Sequence, residues 1–207
     1  MIKKDFSIDI NNNITIITPI YEIDYYNVRN TAWDFLIKNK VNSYPLNLQI
    51  IANNNNWIIW SYKKYCEYKK ISQEKLLSKY PDGFTLQLKN GSYIICYNQN
   101  NCKQRNRFTI CHEIGHILLH RKISKRRIEQ EANMFSARIL MPMILIKELK
   151  ITEPEQLARL CDVSITSATF RLNRFQLIKE RNKFYTNPLE RKLYEMLKNF
   201  INKQKEG

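Results

Sequence analysis

All three histidines of this 207-residue chain lie in one stretch, "RFTICHEIGHILLH", running from Arg107 to His120. Within it, His112, Glu113 and His116 form the pattern H-E-x-x-H. Residues four apart on a helix differ by about 40° around the axis and by ~6 Å along it, so His112 and His116 point the same way. Their imidazole nitrogens can then meet one ion at ~2.0–2.1 Å. Glu113 sits ~100° further round, out of ligand reach but beside an attacking water, where a general base belongs. The competing account is a buried helix with incidental histidines. It has to bury two imidazoles and a carboxylate without partners, which is costly.

A third ligand is needed, and His120 does not supply it, because it lies ~12 Å along the axis from His112. No histidine follows it. The ligand is therefore expected from a carboxylate on a neighbouring helix, and "RIEQEANMFSARILMP" (127–142) offers Glu129 and Glu131. Ile128, Ala132, Phe135, Ile139 and Leu140 define the apolar face of that helix. Glu129 lies beside this face, with Asn133 one turn on to hydrogen-bond the second ring nitrogen of a histidine. Glu131 points elsewhere and reads as a solvated charge. Candidates for a second oxyanion donor are Tyr93, Tyr97, Arg107 and His120.

The elements that must hold these groups can be read around them. Asp24 reads as the N-cap of a helix burying Val28, Ala32, Phe35 and Leu36. A short helix follows Pro45, "WIIWSY" (57–62) reads as a buried strand, and Ser72 caps another short helix. "FTLQLKNGSYIICYN" reads as a hairpin turning at Asn90-Gly91. Its second strand, Tyr93–Asn98, could offer an edge to an extended substrate. Gly115 costs the motif helix ~1 kcal/mol relative to alanine, which a close backbone approach to the metal or the sheet would explain. Cys111 reads as core.

Further on, Thr152 and Glu155 form a capping box. The segment "EQLARLCDVSITSATFRLNRF" has a helix-turn-helix register. Ala158, Val163, Ala168 and Leu172 face inward, Asp162 takes the left-handed turn position, and Ser164 caps the second helix. In a DNA-binding account Arg171 and Arg174 would sit on phosphates. In the plainer account the segment is a helical appendage packed on the core. A short strand-like hairpin and a last helix near Pro188 complete the chain.

The motif helix followed by "EQEANMFSARILMP" resembles the ImmA/IrrE family of zinc metallo-endopeptidases, over roughly residues 28–178. The frame agrees: a hairpin ending at Asn98, R-F-T before the motif, and an alanine-asparagine helix closed by L-M-P. The resemblance implies a single catalytic zinc held by His112, His116 and Glu129, with Glu113 as catalytic base. It also implies a helix-turn-helix repressor of a phage, mobile element or stress response as the protein substrate. The expected architecture is α+β. Residues 1–23 form an N-terminal extension and residues 24–150 a zincin-like metallopeptidase core, a small mixed sheet plus the helices carrying HExxH. Residues 151–207 form a C-terminal subdomain with the helix-turn-helix-like segment.

Composition bounds the alternatives. The net charge is +15, and all of it lies beyond residue 60, where it would favour an acidic partner or nucleic acid. A DNA-binding regulator with a structural or vestigial metal site is thus the competing class. The five cysteines are scattered without a C-x-x-C pair, so neither a zinc knuckle nor a disulfide framework is expected. No apolar run approaches the ~20 residues of a membrane span. A reduced, cytoplasmic protein is the expectation.

Overall fold

The computed structural model describes residues 7–8, 14–15, 23–119, 125–179 and 184–206. A short antiparallel ladder joins β1 (Ser7–Ile8) to β2 (Ile14–Thr15). Most of the expected extension over residues 1–23 lies outside the described residues, as do residues 180–183 of the expected strand-like hairpin.

Asp24 caps α1 (Tyr25–Lys38) by accepting from the Asn27 backbone N–H at 2.9 Å. The helix buries Val28, Ala32, Phe35 and Leu36, the face its periodicity predicts. After α2 (Leu48–Asn54), the expected strand over 57–62 is shorter and only half-buried, as β3 (Ile58–Ser61). Tyr62 instead opens an unanticipated helix, α3 (Tyr62–Lys69), because the Ser61 hydroxyl accepts from the Lys64 N–H and starts a turn. Ser72 caps α4 (Gln73–Lys79) in the same way.

β4 (Gly83–Gln87) and β5 (Tyr93–Tyr97) form the predicted hairpin. Gly91 takes a left-handed φ of 83° where the chain reverses. β3 then pairs with β5 in parallel, giving the order β3-β5-β4. This corrects one expectation: β5 is the central strand and cannot offer an edge. β4 can, since among the described residues it pairs with β5 alone.

On one face of the sheet, Phe84, Ile94 and Cys96 pack against Tyr62, Tyr65, Cys66 and Leu76 from α3 and α4. The other face meets α5 (Lys103–Leu118) and, through Ile95, joins the main core. α6 (Lys125–Leu140) lies along α5, with α7 (Met143–Glu148) beyond it. A Cβ on Gly115 would come within 3.0 Å of the Ala132 Cα. The close approach at this glycine is therefore between α5 and α6, not to the metal or the sheet. Cys111 is fully buried, as its position predicts.

α8 (Pro154–Cys161) starts one residue later than a Thr152 capping box requires. Glu153 is the N-cap and makes no side-chain cap bond. Pro154 opens the helix with a preset φ and has no N–H to satisfy. Asp162 adopts φ 52°, and the Ser164 hydroxyl accepts from the Ser167 N–H ahead of α9 (Ile165–Lys179). Arg171 is corrected: it is only 6% exposed and donates to the Met141 carbonyl at 2.8 Å, so no phosphate can reach it. α10 (Pro188–Glu206) packs Leu193, Leu197 and Ile201 into the core shared with α1. The fold is mixed α+β and rich in helix, around a small three-stranded sheet. Among the described residues no helix is long and apolar enough to cross a membrane.

Candidate active site

α5 carries His112 and His116 on one side, and α6 brings Glu129 and Asn133 up to them. The two Nε2 atoms lie 2.8 Å apart. The Glu129 carboxylate reaches His112 Nε2 at 3.1 Å and His116 Nε2 at 3.5 Å. Donor atoms around a tetrahedral zinc at Zn–N ~2.0–2.1 Å would be about 3.3 Å apart, so the observed spacings bracket that value. His112 Nδ1 lies 2.8 Å from the Asn133 side-chain oxygen. An amide oxygen only accepts, so Nδ1 carries the proton and Nε2 turns its lone pair toward the other two groups. Two imidazole nitrogens and a carboxylate converging on one point offer a site for a cation, and the mix of nitrogen and oxygen donors suits zinc.

Donor atoms of His112, Glu113 and His116 also lie within 4.8 Å of one another, so Glu113 competes with Glu129 for the third position. The contacts separate them. Glu113 is buried, and its Oε2 accepts a 2.7 Å hydrogen bond from the Thr85 hydroxyl on β4. Glu129 is half-exposed and faces both imidazoles directly. Burial pushes the Glu113 carboxyl above its ordinary range, and the nearby Glu129 charge adds to this; the Thr85 hydrogen bond and His112 pull the other way. Asp82 also borders the cleft, but its carboxylate is held by Arg105 at 2.7 Å and by Asn101, and Arg105 keeps it below the usual range.

Glu131 is corrected. It is 2% exposed, accepts from the Asp24 N–H at 3.1 Å, and pairs with Arg127 at 2.8 Å. It ties α6 to the start of α1 instead of sitting in solvent. Of the four oxyanion candidates, Tyr93 lines the cleft and Tyr97 packs against the core. Arg107 is withdrawn, because its guanidinium donates to the Asp162 carbonyl at 3.0 Å and the Leu46 carbonyl at 3.1 Å. His120 lies outside the described residues.

Thr85 and Gly83 are the site residues that the sequence reading missed. Both belong to β4, whose outer edge borders a cleft of about 890 Å³ that opens over His112 and Glu113. A Cβ on Gly83 would come to 2.5 Å from Thr109 Cγ2 and 2.9 Å from the Cys96 carbonyl oxygen. Gly83→Ala is therefore expected to cost about 1–3 kcal/mol. Adding Thr109→Ser should recover only part of this, because the backbone clash remains. Urea unfolding of the single and double variants checks it, and an unchanged midpoint for Gly83→Ala would refute the close approach.

A search of the curated proteins finds no match to the chain. The model of the peptidase M78 family, described as the IrrE N-terminal-like domain, matches residues 69–173, just over half of the 207. That span runs from the end of α3 into α9 and takes in every residue lining the cleft except Tyr65, from β4 through both site helices. With the H-E-x-x-H helix, the facing glutamate and this match on one stretch, the chain belongs to the ImmA/IrrE family of peptidases.

Proposed function

We propose that the chain is a zinc-dependent endopeptidase that makes a specific cut in a regulatory protein, a helix-turn-helix repressor of a phage, mobile element or stress response. The observation that carries the reading is the convergence of His112, His116 and Glu129 beside a buried Glu113. In this reading the first three hold the metal within a zincin-like core, and Asn133 fixes the His112 ring. A zinc ion there would polarise the scissile carbonyl and make water more acidic.

The protein's own groups do the rest. Glu113 takes the proton of the attacking water and passes it to the leaving amine. Its hydrogen bond from Thr85 holds the carboxylate in place. The free edge of β4 can take an extended substrate by strand addition, laying the scissile bond over the two histidines. Tyr93 is the expected second donor to the oxyanion. A cytoplasmic setting belongs to the same proposal, since all five cysteines are free thiols.

The test combines metal analysis with cleavage of a candidate helix-turn-helix repressor, sought among the genes next to the one for this chain. Zinc near one per chain and two repressor fragments, abolished by a chelator and restored by zinc, are expected. A metal-free chain that shifts operator DNA and leaves the repressor whole would establish the DNA-binding regulator instead. The inward turn of Arg171 already removes one of that account's two phosphate contacts.

A further inference from the structure

A second pocket, of about 400 Å³, lies between α6, α9 and the start of α1. Arg138, Arg171 and Arg174 line it, together with Tyr25, Phe170 and Phe108. Among the described residues no aspartate or glutamate lines it. Arg171 and Arg138 use backbone carbonyls as acceptors, those of Met141 and Met134. Arg174 stacks over the Tyr25 ring. Burial and the neighbouring arginines push Arg138 down to about 10 and Arg171 to about 9, while Tyr25 acts in the opposite sense on Arg138 and Cys161 and Tyr44 on Arg171. The charge of Arg29 also acts on Arg138, and Arg29 in turn lies near enough to Glu190 to act on it. Among the described residues, these three guanidinium charges cluster at a cavity that no carboxylate lines, with Arg174 exposed, Arg138 beside it and Arg171 turned inward to the Met141 carbonyl.

The position of the pocket identifies what would bring a carboxylate to it. Phe108 forms a wall of both this pocket and the active-site cleft. Along α6, Glu129 and Asn133 face the cleft, while Met134, Ala137 and Arg138 face the pocket. At 1.5 Å per residue, Arg138 lies ~13.5 Å along the α6 axis from Glu129 and about half a turn round it, a separation of roughly 15–20 Å. An extended peptide covers that distance in about five or six residues, at ~3.3 Å each. Guanidinium forks match carboxylates in geometry as well as charge. Phe170, 71% exposed, and Tyr25, 49% exposed, stand at the rim where the apolar stem of a side chain would pass.

We propose that this pocket receives a carboxylate of the protein substrate, about five or six residues from the bond that is cut. The inference rests on the peptidase reading for its substrate, yet it can be tested by binding alone. The full chain carrying Glu113→Gln, loaded with zinc, is immobilised and offered a random dodecapeptide library with amidated C-termini. The retained peptides are then sequenced. Aspartate or glutamate should be enriched at one position, and Arg174→Ala should lower that enrichment about tenfold. Arg138→Gln should act likewise, while Lys192→Ala, which removes a charge from exposed α10, should not.

Arg171 is left intact because it anchors α9. Thermal melts confirm that each variant folds, and exposed Arg174 decides the matter if Arg138→Gln does not. Enrichment seen only with a free-acid library would assign the pocket to the substrate's C-terminus and not to a side chain. No retained peptides, no acidic preference, or a preference untouched by Arg174→Ala overturns the proposal. Because the Glu113→Gln chain does not need to cut, these outcomes are independent of the repressor assay.

Discussion

Glu113→Gln is expected to keep the fold and the zinc while lowering turnover by about 10⁴-fold or more. General-base catalysis alone contributes roughly 10²–10⁴, and in the proposed mechanism one carboxylate serves both the attacking water and the departing amine. Glutamine is nearly isosteric. Its side-chain oxygen can still accept from the Thr85 hydroxyl, which now bonds Glu113 at 2.7 Å. What it cannot do at neutral pH is take a proton. Burial holds the Glu113 carboxyl above its ordinary range, so its basicity lies closer to that needed near neutrality. The same burial penalises the charged form, so the neutral variant should melt at an equal or higher temperature. Cleavage of the repressor and zinc content are measured on one sample. A variant that retains zinc and cuts at a comparable rate would remove Glu113 from the mechanism.

The site was more legible in the sequence than the frame around it, and the reason is locality. H-E-x-x-H occupies five residues of one helix, and helical geometry alone brings His112 and His116 together. Phase within α6 likewise puts Asn133 one turn on from Glu129, and the packing of α6 on α5 then brings it to His112. The strand order does not. Nothing local says that β3 pairs with β5 in parallel, yet the run Ile94-Ile95-Cys96, buried at every position, is the mark of a strand covered on both faces. That signal is present in the sequence, but the expected edge at Tyr93–Asn98 makes no use of it. With β5 taken as an edge, β4 was overlooked, and Thr85 and Gly83 with it. Arg107 and Arg171 misled for another reason. Their partners are backbone carbonyls from 30 to 61 residues away in the chain, invisible to any motif.

Glu129→Ala and Glu131→Ala are expected to separate metal binding from stability, though the two residues are only two positions apart. Glu131 falls on the stripe 128, 131, 132, 135 and 139, the i, i+3, i+4 spacing of a buried face, so the sequence reading that pointed it to another side misjudged its phase. Burial follows because Arg127 and the Asp24 N–H satisfy it. Truncating it leaves Arg127, itself 13% exposed, without its partner and frees the anchor of α1. Breaking a buried pair in this way costs about 3–5 kcal/mol, to be read from denaturant unfolding, while the variant that remains folded should still bind one zinc. Glu129 is the reverse case. Its side chain is 54% exposed and touches the two imidazoles, so its loss should scarcely move the melting of the metal-free chain. It removes one of the three proposed ligands, however, and stoichiometric zinc should be lost, as it should with His112→Ala. Should Glu131→Ala lose zinc at full stability while Glu129→Ala keeps it, the ligand would have to be the other glutamate and the helix would have to turn by about two residues from the orientation described.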